Sequence, residues 1–417
     1  LVSMAYDTFK YVQLNQGEDL AAFKQAKGEL KQRLASLNDS LNRRMHAATH
    51  LDYEDWLKSH QPFHWLAEFY QIIKGNGGFD VIIGNPPYVE YTRRNKETGK
   101  SIAEIYQLHG YMTINCSNLY AFVTERSIQI SKNRNNIGFI VPLTIASNNN
   151  MAELRSLICS SGISWYSHYE VRPAKLFEGA EQRLTIFIIR NSSYNHIFST
   201  SIQRWHSEHR YLLFQSLKYA PSFHNGSIWR TSTDIETSIY RKFQAHTPTS
   251  LLLRNSGEYI HYRTAGVRYW IIFLNKGFDT NSLSNKFARV ESLEIAQFLM
   301  AAFNSNLFWW YYALNFDMFN LKDYMIFNFK LNYNPDPIIC ALAESLEKDM
   351  DVNKIEQLIN SKTRGEVITS YYQKKHSKLI IDKIDNALAY HYGFNEEELD
   401  FIINYDIKYR MGDELNE

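Results

Sequence analysis

Cysteine is scarce in this 417-residue chain. Cys116, Cys159 and Cys340 stand far apart, with no CxxC pair and no Cys/His cluster. That spacing argues against a structural zinc site or any other metal site, and it points to a reducing, cytoplasmic setting. Long apolar runs are also missing: none reaches the length of a membrane span, and no signal peptide is visible. Charge of one sign is missing too. With a net charge of +1 there is no strongly basic footprint, so any contact with nucleic acid has to come from a local patch. The chain opens "LVSMAYDTFK" without an initiator Met, which suggests an internal piece of a longer protein. What is plentiful is aromatic: 28 Tyr, 25 Phe and 8 Trp, which suits large cores and also stacking surfaces. The mass of 49.0 kDa allows two or three domains with proper cores.

Periodicity places a long charged amphipathic helix over residues 18–46 and a second helix over 63–73. "GNGG" at 75–78 breaks the second helix and leads into a short apolar strand at 79–84. A helix is expected at 118–131 and a buried strand at 137–142. A helix near 150–161 and strands at 163–171 and 183–190 follow. This alternation predicts an α/β, doubly wound sheet over 78–190, with one of its last two strands antiparallel. Residues 191–340 change to short aromatic runs with turns and read as a separate α+β domain. Between 195 and 335 it holds 14 basic and 9 acidic residues, a modest positive local field. Residues 341–417 read as helical and net about −6, with Gly393 as a helix stop and "NEEELD" as a solvated, capped helix start.

The stretch that carries chemistry is "GFDVIIGNPPYVEY", 78–91. Ligands of open α/β sheets bind at the carboxyl ends of strands, and Asn85, Pro86, Pro87 and Tyr88 stand at such an end. The Asn85 side chain offers a carbonyl acceptor, and the Pro86 carbonyl is a second one, held by two restricted φ angles. Together they can receive both hydrogens of one amino group, while Tyr88 gives a flat face for a planar ring. An amine on an aromatic ring is a poor nucleophile because its lone pair is delocalised. Two acceptors out of the ring plane favour a pyramidal nitrogen that can attack a methyl sulfonium in line. A strand ended by a proline turn is the plainer reading of the same residues. Such loops also serve enzymes that methylate glutamine amides or amino groups of ribosomal RNA.

The stretch resembles the fourth motif of the gamma-class N6-adenine DNA methyltransferases. "NLYAFVTERS", "GFIVPLTIAS" and "RPAKLFEGAEQRLTIFIIR" look like the blocks that follow it in type IIG restriction–modification enzymes and the related phage-exclusion methyltransferases. "YRTAGVRYW" and "FNSNLFWWYYAL" look like their target recognition domain, and the C-terminus is similar to theirs, so the resemblance covers roughly 60–417. It implies the C-terminal, adenine-binding half of a Rossmann-like class I methyltransferase domain at 78–190, entered through a helical segment at 1–77. A target recognition domain at 191–340 and a helical region at 341–417 would follow. It further implies S-adenosylmethionine as cofactor and double-stranded DNA as partner. Asn85 and the Pro86 carbonyl would hold the adenine amine, and Tyr88 would stack on the flipped base. Phe177 would line the base's other side or simply be core. Asn118 would border the cofactor pocket together with Asn85, and Tyr120 would pack there. The family's glycine-rich cofactor loop has no counterpart here, which implies that the first half of the domain is a missing partner and that the chain alone is inactive.

A base inside a duplex must be flipped to reach a pocket, and the remaining site is read in the grooves. Arg263, Arg268 and Tyr269 are candidates for those contacts, or the arginines are solvated beside a core of Tyr262, Tyr269 and Trp270. Lys286, Arg289, Lys322 and Lys330 are candidate phosphate contacts, and the run 309–312 reads as core. The expected function is site-specific adenine-N6 DNA methylation by the complete protein. A non-catalytic DNA-recognition fragment is the alternative.

Overall fold

The computed structural model describes residues 2–15, 19–106, 108, 110–178, 181–224, 226–264, 271–279, 282–318, 321–361 and 365–410. The architecture is mixed α/β. One sheet contains β1 (Phe79–Gly84), β2 (Ser131–Pro142), β3 (Gly162–Tyr169), β4 (Leu184–Asn191), β5 (Ile197–Gln203) and β6 (Ala220–Pro221). Their order is β1-β2-β4-β3-β5-β6. β1 pairs parallel with β2, and β5 pairs antiparallel with β6. Among the described residues no helix is long and apolar enough to cross a membrane. The chain divides into two compact units. One comprises Leu1–Val141, Glu153–Ser164 and Ile186–His196; the other comprises Pro142–Ala152, Trp165–Thr185 and Ile197–Glu417.

In the first unit, helices Val2–Asn15 and Leu20–His46 pack through Phe9 and Phe23, whose ring centroids lie 5.5 Å apart. Asp19 caps the second helix by accepting from Ala22 N–H at 2.9 Å. Arg43, Arg44 and His46 occupy its last turn, where cations suit the helix dipole. The helix expected over 63–73 is present from 65 on, as an α-helix at Trp65–Glu68 followed by a π-helix at Gln71–Gly75. Trp65 and Phe69 both reach the ring of Phe79 at the start of β1. Gly78 then enters β1 at φ 127°, and a Cβ there would lie 2.5 Å from the Lys132 nitrogen, so only glycine fits. β2 begins at Ser131, six residues before the expected start at 137, because the polar run beyond Ser131 is drawn into pairing with β1, as in Val81↔Asn136.

The second unit is built on helices Leu293–Asn304 and Asn306–Asn315. Every residue of the latter is buried, so the run 309–312 is core, as its composition suggested. Around them stand helix Asp234–Gln244 and a three-stranded sheet, order β8-β7-β9, of β7 (Leu253–Arg263), β8 (Phe273–Leu274) and β9 (Asn285–Val290). Helix Pro337–Val352 follows, and residue 340, an expected boundary, lies inside it. Residues 341–417 are helical at Lys378–Tyr392, Glu396–Asn404 and Ile407–Arg410. They also include an antiparallel hairpin of β10 (Ile355–Ser361) and β11 (Gly365–Tyr371) that an all-helical reading omits.

Gly393 stops helix Lys378–Tyr392 at φ 67°, and Asn395 with Glu398 forms the expected capping box. "NEEELD" is not simply solvated, however. Glu398 is buried, accepting from Lys242 Nζ and Ser238 Oγ at 2.6 Å each. Asp385 is buried as well. It accepts from the backbone N–H groups of Asn306 and Leu307 at 3.1 Å each, which satisfies the start of the core helix.

Candidate active site

The apolar strand Phe79–Gly84 ends where two prolines forbid its continuation, and residues 85–88 leave its carboxyl end as a loop. Pro86 is buried, while Asn85 and Pro87 are exposed. The Asn85 carboxamide makes no hydrogen bond among the described residues, so its oxygen is open to a ligand. Tyr88 is half-buried and tied down: its hydroxyl donates to the Ile140 carbonyl of β2 at 2.8 Å. Burial pushes the Tyr88 phenol up to about 12, so it stays protonated and keeps that bond at neutral pH. Its ring meets Tyr120 edge-on, with centroids 6.4 Å apart at 89°. Tyr120 is fully buried, which makes it a wall for Tyr88 rather than a surface for a ligand.

The chain after Tyr88 is pinned to the helix Leu119–Ile130. Leu119 N–H donates to the Val89 carbonyl at 2.9 Å, and Glu90 forms a bridge with Asn118. Asn118 is the N-cap of that helix, its side-chain oxygen accepting from Tyr120 N–H at 3.4 Å. Asn85, Tyr88, Asn118 and Tyr120 therefore belong to one structural unit around one loop. Sequence reading missed two positioning residues. Tyr91 is buried, stacks on Phe122 at 4.7 Å, and bonds the Ile114 carbonyl through its hydroxyl. Glu125 is buried and accepts from Met112 N–H, Thr113 N–H and Thr113 Oγ1 at 2.8–3.0 Å. Both fold the segment 111–117 back against the helix. A single acidic residue within "LYAFVTERSIQI" was the available signal for Glu125.

The other candidates fall in the second unit. Phe177 is 38% exposed. Arg263 is engaged within the protein: Nε donates to Asn285 Oδ1 at 3.1 Å, Nη1 to the Ser370 carbonyl at 3.2 Å, and the guanidinium lies 4.4 Å from the Phe278 ring centroid. Burial lowers its pKa, the first cause being desolvation. Arg268 and Tyr269 lie outside the described residues. Lys286 pairs with Asp323 at 3.2 Å, both half exposed. Arg289 lies over the Tyr259 ring at 4.6 Å and donates to its hydroxyl at 2.7 Å. Lys330 donates to Gln244 Oε1 at 2.6 Å, and Lys322 is exposed.

A family model described as the Eco57I restriction-modification methylase matches residues 9–177, a span that includes the Asn85–Tyr88 loop, Asn118 and Phe177. Over those residues the chain is similar to the restriction–modification methylases. Two curated methyltransferases are similar. The type II methyltransferase M.HincII of Haemophilus influenzae is 24% identical over 210 residues, 49% of this chain and 39% of the relative. The type II methyltransferase M.HindII of the same species is 26% identical over 175 residues, 41% of this chain and 33% of the relative. The chain thus spans well under half the length of these two methyltransferases. Among solved structures, the type IIL restriction-modification enzyme MmeI in complex with DNA is 11% identical with a TM-score of 0.47, covering 78% of this chain and 56% of that one. The type IIG restriction endonuclease BpuSI is 10% identical with a TM-score of 0.30, covering 78% and 54%.

Proposed function

We propose that this chain is the adenine-binding and target-recognition part of a restriction–modification methyltransferase that methylates the N6 amine of adenine in a specific duplex sequence. The observation that supports this most is the loop at the end of β1: an exposed, unengaged Asn85 carboxamide beside a Tyr88 ring anchored through its hydroxyl. In this reading Asn85 Oδ1 and the Pro86 carbonyl accept the two hydrogens of the amine, and Tyr88 stacks on the flipped base. Residues 78–190 are then the adenine half of a Rossmann-like domain entered through 1–77, residues 191–340 the target recognition domain, and 341–417 its helical support.

The residues here do not by themselves fit S-adenosylmethionine. Asn118 spends its side-chain oxygen on the cap of helix Leu119–Ile130, which leaves Asn85 as a lone exposed contact. The cofactor's contacts are assigned in this reading to a part of the complete protein that adds a strand beside β1. Among the described residues β1 is the last strand on its side of the sheet, with Val81 60% and Ile83 83% exposed, an apolar edge of the kind proteins normally cover. The same edge supports the second reading, a chain that binds DNA but is not catalytic alone.

The test is Asn85→Ala in the complete protein, with N6-methyladenine counted after digestion of the substrate DNA. Loss of one of two amine acceptors should slow methylation on the order of 100-fold, by analogy with removal of one oxyanion-hole donor. DNA affinity should change little, because phosphate contacts supply most of it. Near-normal methylation by the variant would end the adenine-pocket assignment. Methyl groups found on a protein glutamine or on ribosomal RNA would redirect the substrate.

A further inference from the structure

A cavity of about 220 Å³ in the second unit is walled by the rings of Trp229, Phe243, Tyr311 and Phe316, all of them buried. Tyr311 belongs to the core helix Asn306–Asn315 and Phe243 to helix Asp234–Gln244. Phe316 stands edge-on to Tyr311, with ring centroids 5.6 Å apart at 78°. Ser147, the last residue of the short helix Thr144–Ser147, lines the cavity too, and Ile228 N–H holds that helix by donating to the Ala146 carbonyl at 2.8 Å. Two hydroxyls in this lining are buried but not spent. Ser147 is 4% and Tyr311 3% exposed, yet neither hydroxyl makes a hydrogen bond among the described residues. Both oxygens keep accessible surface, whereas the indole nitrogen of neighbouring Trp229 is closed off.

Buried side-chain hydroxyls normally find a partner inside the protein. Two that converge on one cavity between aromatic walls are the pattern of a ligand pocket. Burial raises the Tyr311 phenol, so it remains a donor at neutral pH. Asn149 and Asn328, both exposed, add two carboxamides that make no side-chain hydrogen bond among the described residues. Lys330 brings an ammonium, held by Gln244 Oε1 at 2.6 Å and by no ion pair. Among the described residues no carboxylate lines the cavity. These groups narrow the ligand by its chemistry. An amino acid or amine would find nothing to balance its cation. A purely apolar molecule would leave both hydroxyls without a partner. A flat ring with donors and acceptors along its edge uses walls and hydroxyls together, as bases do on aromatic side chains, and an attached phosphate suits the ammonium.

We propose that this cavity binds one nucleotide unit, with its base against the aromatic walls and its phosphate at Lys330. Tyr311 donates to an acceptor on the base edge, and the Ser147 hydroxyl turns to give or take a second bond. The unit is either a free mononucleotide or an unstacked nucleotide of a DNA strand; the recognising chemistry is the same. The proposal stands independently of the loop at 85–88, which belongs to the first unit.

The experiment is calorimetric titration of the 417-residue chain with each of the four deoxynucleoside 5′-monophosphates, and at least one should give saturable heat. Tyr311→Phe and Ser147→Ala should each weaken that binding about two- to tenfold, the worth of one neutral hydrogen bond. Neither should lower the urea midpoint, because neither hydroxyl is bonded within the protein, and this separates a ligand contact from a structural role. Lys330→Gln should weaken the nucleotide at least about tenfold while leaving the matching nucleoside unchanged. Anisotropy of a labelled single-stranded oligonucleotide then identifies the source. Displacement of the strand by the nucleotide, with weaker strand binding in Tyr311→Phe, would put a nucleotide of DNA in the cavity. A strand that the nucleotide does not displace would make the ligand a free mononucleotide. The proposal is overturned by the absence of saturable heat with all four nucleotides, by wild-type affinity in all three variants, or by equal binding of ribose 5-phosphate, which has no base.

Discussion

Glu125 offers the sharpest test of how the site loop is held. Its carboxylate faces four donors: Met112 N–H and Gln129 Nε2 on Oε1, at 3.0 and 3.2 Å, and Thr113 N–H and Oγ1 on Oε2, at 3.0 and 2.8 Å. Glu125→Gln keeps the shape and removes one acceptor. The amide oxygen can serve only one side, and its NH₂ then points at donors. The Thr113 hydroxyl can turn and accept, but a backbone N–H cannot. One buried N–H is therefore stranded, at about 1–3 kcal/mol. The remaining bonds also lose their charge assistance, since bonds to an ionised acceptor are roughly twice as strong as neutral ones. The total should be roughly 2–4 kcal/mol. Urea unfolding of the chain reads the global part. Because two units need not unfold together, hydrogen exchange of the Met112 and Thr113 amides reads the local part. Glu125→Asp, one methylene shorter, should give an intermediate loss. A change below roughly 0.5 kcal/mol with both amides still protected would show that the segment 111–117 is held by something else.

Gly78→Ala places a methyl group 2.5 Å from the Lys132 nitrogen at a φ that side chains avoid, so the first unit should lose at least about 2 kcal/mol in urea unfolding. Burial pushes the Asp385 carboxyl from 3.8 up to about 6. The native state therefore holds its proton where the unfolded chain releases it, and this group's contribution is full below pH 4 and lost as pH rises through 6. Asp385→Asn should flatten that stretch of the stability–pH curve; an unchanged slope would refute the shift. Titration calorimetry of the isolated chain with S-adenosylmethionine should show no measurable heat. Micromolar binding would mean that a segment within residues 1–78 forms a cofactor site after all.

Local signals were the ones the sequence displayed clearly. "DVIIGNPPY" is a strand and its stop within nine residues, and Gly393 with Asn395 and Glu398 is a helix stop and start within six. What escaped depends on partners far away in the chain. Glu398 looks solvated until Lys242 and Ser238 are placed against it. "KNRNN" looks like a loop until β1 pairs with Ser131 before it and Asn136 at its end. At the site, Asn85 and Tyr88 could be named in advance because the loop is short. The hydroxyl anchor on Ile140 could not, since its acceptor lies 52 residues on.

Arg263 has a consequence for anyone who would move its sheet into another protein. Its guanidinium joins β7 to Asn285 of β9, to the Phe278 ring, and to the Ser370 carbonyl of the hairpin more than a hundred residues later. A graft that takes the β8-β7-β9 sheet and leaves the hairpin behind keeps Asn285 and Phe278 but takes the Ser370 acceptor from that cation. The transplantable piece is therefore discontinuous in sequence: residues 253–290 together with 355–371, carried as a pair or not at all.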